Sequence, residues 1–388
     1  MAVCFVGQLG IGVGFGFVSP YGAQIDEDLG MSEDLNNLLI GDVSIGGLFG
    51  CLFSGKLADK IGRKKGLIVA FSFTSIGWSA VAFSINTAMI FLGRVVHGIG
   101  EGMLTVVTVI YISEFIQEKH RGGALSSLII GCLLGLVLDY VCFALISWRI
   151  AAGVFTAMNI ILLLCSFAIE ESPPWRLFKE KDMKDNAKND KDIEDVFTKE
   201  EKSKHSETDI SIIRFISTSI APLLLLLAPI TGGSSIGFFV ISMVEKMHMR
   251  NPVSVAIAVG MMRVMGAACG GAFIQRFGRR VPLIFSSAST FLSLGVISLL
   301  LVLDILPSLM YNYIMVTLLV LVMFCTSLGM ASVPFIILGE WPQVRDKVSS
   351  GEKPVFLSVC NFSGNCRDCW SFLLLHLCLP GFHVARLS

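Results

Sequence analysis

Residues Gly55–Gly66 read GKLADKIGRKKG, a basic turn that joins two apolar stretches at 40–53 and 67–83. Both stretches have the composition of membrane-spanning helices. Because lysine and arginine are enriched in the cytoplasmic loops of membrane proteins, the turn is predicted to lie in the cytoplasm. A topology anchor with no further role would also explain these cations.

A second copy of the turn occurs in the other half of the chain, where Gly271–Arg280 reads GAFIQRFGRR. The copy keeps the glycine–glycine–arginine spacing of the first turn, and Arg279 follows Arg63 by 216 residues. An internal repeat of this size between hydrophobic helices is typical of transporters.

Composition agrees with a membrane protein. Of the 388 residues, 54% are apolar and 15% are charged, and the mean hydropathy is +0.74. Ten apolar stretches can be counted, so the predicted fold class is all-α, a polytopic membrane protein with about 10 transmembrane helices. After span one, predicted at about Val3–Pro20, a loop carries acids and no lysine or arginine, which places it outside and the N-terminus in the cytoplasm.

Four regions follow from this pattern. A six-helix bundle is predicted at 1–169, a charged cytoplasmic linker at 170–215, a second bundle of about four helices at 216–345, and a divergent tail at 346–388. The tail holds four of the eleven cysteines, including Cys366 and Cys369. Their spacing is too irregular for a zinc site, so no metal is predicted. Alternative splicing, a frameshift or a gene-model error would explain the tail.

Several motifs resemble a known family. The pattern G-x-L-A-D-x-x-G-R-K after span two resembles the motif of the major facilitator superfamily. The motifs that resemble its sugar-porter branch are Glu114 with Arg121, Trp148 with Arg149, Glu171–Arg176 (ESPPWR) and Gly329–Pro342 (GMASVPFIILGEWP). Within that branch the chain looks most similar to insect trehalose and glucose facilitators.

The resemblance implies a two-bundle fold, with twelve helices expected, that moves a trehalose- or glucose-class sugar by alternating access, and no enzymatic activity. The expected location is the plasma membrane. The sugar and the lipid bilayer are the predicted partners; neither a cofactor nor nucleic acid is expected, and the oligomeric state stays open.

A conformational latch is predicted at the cytoplasmic helix ends. Salt bridges there would stabilise the outward-open state and break as the bundles rock. The predicted pairs are Asp59 with Arg63 and Glu114 with Arg121; the candidate latch residues are Asp59, Arg63, Glu114, Arg121, Arg279 and Glu340.

The substrate path is predicted where prolines and glycines interrupt span seven, because broken helices free backbone polar groups beside a wet cavity. A packing kink is the alternative. The candidates are Thr231, Ser234, Ser235, Asn159 and Phe335. The paired glutamines of the branch are absent from 228–234, which leaves open a transport-inactive sensor or regulator.

Five charged or titratable residues fall inside predicted spans: Arg94, His97, Glu101, Asp139 and Arg263. The first three share one face of span four and should be buried and paired. Asp139 and Arg263 are predicted to form an ion pair between spans five and eight, unless one of them snorkels alone. Proton-coupled members of the branch pair the span-four arginine with an acid in span one. Span one has none here, which favours facilitated diffusion, although His97 and Glu101 leave proton symport open.

Overall fold

The computed structural model describes residues 1–31, 33–177, 179, 240–241, 244, 251–303, 308–334 and 336. Regular structure within them is α-helical. The ten described helices are α1 Ala2–Gly16, α2 Val18–Leu29, α3 Glu33–Ile61, α4 Arg63–Ala82, α5 Thr87–Phe115, α6 Glu118–Leu145, α7 Trp148–Phe167, α8 Pro252–Phe277, α9 Arg280–Leu303 and α10 Ser308–Leu328.

Most of the predicted spans have a counterpart among these helices, and the all-α membrane fold is confirmed. Among the described residues, the six helices α4 to α9 are long and apolar enough to cross a membrane. The bent pair α1–α2 would form a seventh span. Helices α3 and α10 occupy the positions of spans two and ten. Most of span seven and of the predicted linker, and all of the predicted tail, lie outside the described residues.

Span one is longer than predicted and is bent. Helices α1 and α2 meet at an angle of 52°. The cause is Pro20, which has no N–H for the carbonyl of Gly16 and whose ring crowds that turn. Helix α2 then continues to Leu29 and ends at Gly30 with φ 64°, so the acids predicted in a loop at 26–28 lie on a helix.

Small residues let α3 and α5 approach closely. A methyl group on Gly98 of α5 would collide with the carbonyl oxygen of Val43, and one on Gly46 of α3 would collide with that of Val95. The two helices therefore present glycine to each other's backbone, an arrangement typical of membrane helix pairs.

Gly98→Ala is expected to lower the thermal-unfolding midpoint, because the new methyl group meets backbone that cannot move aside cheaply; overpacking of this kind costs about 1–3 kcal/mol. Gly153→Ala is the matched control, because nothing lies within 4 Å of its added carbon. Melting of both purified variants in detergent checks this. Equal midpoints for the two variants would contradict the close approach of α3 and α5.

The two bundles meet along α6 and α8, as expected for spans five and eight. Val137 of α6 lies 2.7 Å from the position of a Cβ on Gly260, and Ser126 lies 3.8 Å from that on Gly271. The pairing runs in opposite directions, so the helices are antiparallel. Tyr140 of α6, one turn beyond Val137, packs in a hydrophobic core with residues of α8 and α10.

Candidate functional site

Arg63 is the centre of an ion-pair network at the basic turn. Its Nε and Nη2 donate to the two carboxylate oxygens of Glu114 at 2.9 and 2.8 Å. Its Nη1 lies 3.1 Å from Asp59 Oδ1 and donates to the carbonyl of Ala58 at 3.2 Å. The Arg63 side chain is only 11% exposed. The bidentate geometry makes this a stronger pairing than an ordinary surface ion pair.

Glu171 joins the segment after α7 to the same turn. Its Oε1 accepts the backbone N–H groups of Arg63 and Lys64 at 2.8 and 3.0 Å. These are the first two residues of α4, where a carboxylate is favoured by the helix dipole. Trp175 Nε1 also donates to the carbonyl of Asp59 at 3.0 Å. The motif at 171–176 therefore joins the basic turn and Glu114 in one cluster, and this contact was not predicted from the sequence.

The predicted pairing of Glu114 with Arg121 is wrong, because Glu114 binds Arg63. Arg121 is buried and its Nη2 donates to the carbonyl of Ile116 at 3.3 Å. Its position beside the start of α6 explains this, since the side chain folds back over the preceding turn. Arg279 lies in the second basic turn and Glu340 lies outside the described residues, so that half of the latch stays a prediction.

A buried ion pair lies deeper in the first bundle. Arg94 Nε of α5 donates to Asp42 Oδ1 of α3 at 2.9 Å, and the side chains are 2% and 4% exposed. The expectation that Arg94 is buried and paired is met, but its partner is on span two. Sequence reasoning missed Asp42, although a lone acid near the start of an apolar span is a signal of its own.

His97 and Glu101 lie on the same face of α5, one turn deeper. Their Nε2 and Oε1 atoms are 3.4 Å apart, and both side chains are 3% exposed. Gly14 of α1 faces them, and a methyl group there would collide with both. Trp78 packs edge-on against the His97 ring at 4.7 Å. The pair is thus enclosed by three helices.

The predicted ion pair between Asp139 and Arg263 is not formed. Asp139 is fully buried, and neither of its carboxylate oxygens has a hydrogen-bond partner among the described residues. The carboxyl group lies against Gly16 of α1 rather than toward α8. Helical periodicity explains the error, because Asp139 follows Gly131 and Gly135 at four-residue spacing and so lies on the face of α6 that packs on α1.

Of the predicted substrate-path residues, the structure describes Asn159. It is 2% exposed, its Oδ1 accepts from Thr74 at 3.1 Å and its Nδ2 donates to the carbonyl of Phe155 at 2.9 Å. The amide is thus engaged inside the first bundle. Thr231, Ser234, Ser235 and Phe335 lie outside the described residues.

A further polar cluster lies on the side opposite the basic turn. Trp148 Nε1 donates to Asp28 Oδ2 at 2.7 Å, and Arg149 stacks 4.3 Å above the Trp148 ring. Arg149 Nη1 also donates to the carbonyl of Ser84 at 2.6 Å. The Trp-Arg motif therefore ties α2, the loop after α4 and α7 together.

Two bundles of apolar helices, enclosed charges and a repeated basic turn define a helical membrane transporter. The family model described as "Sugar (and other) transporter" matches residues 8–351. Sugar transporter ERD6-like 11 of Arabidopsis thaliana is 29% identical over 371 residues, which cover 90% of this chain and 78% of the relative. Putative metabolite transport protein YwtG of Bacillus subtilis is 27% identical and covers 76% of this chain and 69% of its own length.

Solved structures share the fold. The proton:xylose symporter XylE bound to 6-bromo-6-deoxy-D-glucose has a TM-score of 0.81 at 14% identity and covers 100% of this chain and 90% of its own. The inward-open conformation of XylE from E. coli gives 0.68 at 15% identity, with 96% and 88% covered. The chain belongs to the sugar transporter family, whose members are transporters and not enzymes.

Proposed function

We propose that the chain carries a sugar of the trehalose or glucose class across the plasma membrane by facilitated diffusion. Membership of the sugar transporter family supports a sugar as the substrate. The resemblance to insect facilitators supports its class. By the positive-inside rule, the basic turn, the N-terminus and the segment after α7 lie in the cytoplasm.

The observation that carries the mechanism is the network around Arg63. It joins α3, α4, α5 and the segment after α7 through side chains that are only partly exposed. Alternating access needs contacts that exist in one state and break in the other, and such contacts bias the equilibrium by their own free energy. We propose that this network is intact when the cytoplasmic side is closed.

Proton-coupled symport is the second candidate, and the buried charges of the first bundle favour it. Arg94 has an acid partner after all, in Asp42, and His97 and Glu101 are enclosed together. Buried titratable groups of this kind mark proton relays in many transporters. That residues 3–20 of span one contain no acid is therefore a weaker argument against symport than the sequence suggested.

Uptake into liposomes containing the purified full chain tests both candidates. Facilitated diffusion is expected to give saturable uptake of labelled glucose or trehalose, with no pH change inside weakly buffered vesicles. Sugar-driven acidification of the lumen would instead establish symport. Protein without the Arg63 network, such as Arg63→Ala, serves as the low-rate control.

Sugar binding without sugar uptake would indicate the third candidate function, a transport-inactive sensor or regulator. It is measured on the same preparation by protection of the thermal-unfolding midpoint with glucose or trehalose, since a ligand that binds only the folded state raises it. A midpoint raised by sugar, together with no uptake, would contradict the transport proposal.

A further inference from the structure

Asp139 stands in a close-packed seam between α1 and α6. On α6, a methyl group on Gly135 would collide with the carbonyl oxygen of Leu9, and one on Gly131 would lie 2.9 Å from that of Phe5. Asp139 follows Gly135 at the same four-residue spacing, so it lies on the same face one turn further on. At the third of these positions, 131, 135 and 139, the seam therefore has a carboxyl group in place of a glycine.

The residue opposite Asp139 is the last one of α1. A Cβ on Gly16 would lie 3.0 Å from Asp139 Oδ2. Gly16 is also where span one bends by 52°, because Pro20 leaves its carbonyl without a helical N–H partner. The Asp139 carboxyl group therefore lies beside the hinge of span one.

Several charged or titratable groups face this region, but among the described residues none forms a hydrogen bond with the Asp139 carboxyl group. Arg94 of α5 is the cation whose charge acts on Asp139, and it donates to Asp42 of α3. The other titratable or charged groups that face this region are Tyr21 from α2, Tyr140 and Cys142 from α6, Arg263 from α8 beside Tyr140, and His97 with Glu101 from α5 one turn deeper.

We propose that Asp139 is a proton-binding site that controls the hinge of span one. An ionised carboxylate in this apolar seam has no hydrogen-bond donor among the described residues, and such burial is costly. The neutral acid fits against Gly16, so the protonated form stabilises the bent span. When the hinge moves and water enters, the acid gives its proton to that water, and the hydrated carboxylate stabilises the opened form.

The consequence is that pH shifts the conformational equilibrium of span one, by linkage between proton binding and hinge position. In its bearing on sugar movement the inference rests on the proposed function, since a hinge in span one would set access to the path. The proton and the hinge can be measured without any sugar.

The first measurement is infrared spectroscopy of the purified full chain at neutral pH. A protonated carboxylic acid has a carbonyl band separate from the bands of a carboxylate. The difference between wild type and Asp139→Asn is expected to contain one such band, and the difference between wild type and Glu27→Gln none. Glu27 is the matched control, because it is an exposed carboxylate on α2. Absence of the band from the first difference would overturn the proposal.

The second measurement follows the hinge by ¹⁹F NMR of protein labelled with fluorotyrosine. The chain has five tyrosines, and Tyr21 reports from α2, beyond the bend. Its resonance, assigned with Tyr21→Phe, is expected to shift between acid and alkaline pH in wild type and in Glu27→Gln, and to stay fixed in Asp139→Asn. Should Asp139→Asn not fold, Asp139→Ser takes its place. A Tyr21 resonance that follows pH equally in wild type and variant would overturn the proposal.

These outcomes separate the hinge from transport. Both signals together with absent sugar uptake would leave the hinge inference standing and remove the proposed function. Normal uptake with neither signal would do the reverse.

Discussion

Asp42→Asn is expected to lower the free energy of unfolding by about 3–5 kcal/mol, because it leaves the Arg94 guanidinium buried without its counter-charge. Arg94 is 2% exposed and Asp42 is 4% exposed, so water cannot replace the lost partner without opening the bundle. The pair also joins α3 to α5 beside the glycine seam at Gly98. The effect is checked by the thermal-unfolding midpoint in detergent and by the amount of protein at the cell surface.

Two controls distinguish this buried pair from a general effect of losing a carboxylate. Asp28→Asn removes a half-exposed carboxylate and is expected to change the midpoint far less. The double variant Asp42→Leu with Arg94→Leu removes both charges and is expected to recover most of the stability, since replacing a whole buried pair by apolar residues is often neutral. Equal midpoints for wild type and Asp42→Asn would show that the pair does not hold the bundle together.

Arg63→Ala is expected to lower the maximal rate of sugar transport on the order of tenfold, with a smaller change in substrate affinity; a loss of about 1.4 kcal/mol from one conformational state suffices for that factor. The substitution removes both bonds to Glu114 and the contacts to Asp59 and Ala58. Asn159, the predicted substrate-path residue that the structure describes, is hydrogen-bonded to Thr74 and Phe155 and not to these groups. The measurement is initial uptake rate against sugar concentration, normalised to surface protein.

Lys64→Ala is the matched control for the latch. Lys64 is the adjacent cation, and its side chain donates to the carbonyl of Phe167 at 2.7 Å, in an exposed position. Its backbone bond to Glu171 survives the substitution. Near-normal rates are therefore expected for Lys64→Ala. If Arg63→Ala keeps the full maximal rate at equal surface expression, the network is a topology anchor and not a latch.

Much of the fold could be predicted from the sequence because the bilayer demands long apolar helices, and the repeat with Arg63 and Arg279 located the turns. Pairing was less predictable. Asp59 and Arg63 are four residues apart on one helix, so their contact follows from local geometry. The choice of Glu114 between Arg63 and Arg121 depends on how three helix ends meet, which spacing along the chain does not encode.

The buried charges divide in the same way. The shared face of His97 and Glu101 follows from helical periodicity. The partner of Arg94 is on another helix. The acid was sought in span one, where the family resemblance places it, and Asp42 in span two was therefore missed. Asp139 was predicted to turn toward Arg263 because both are charges near a bundle interface. Its real orientation follows from the glycine seam at 131 and 135, a pattern that could have been extended by one turn in the sequence.

Counterflow tests the central claim, sugar movement by alternating access, most directly. Liposomes containing the full chain are loaded with unlabelled glucose or trehalose and diluted into a trace of the labelled sugar, with no ion gradient. A facilitator is expected to accumulate label transiently above its outside concentration, because the loaded carrier returns with labelled sugar bound. Label that never exceeds the level in protein-free liposomes, with folded protein present in the membrane, would contradict the account.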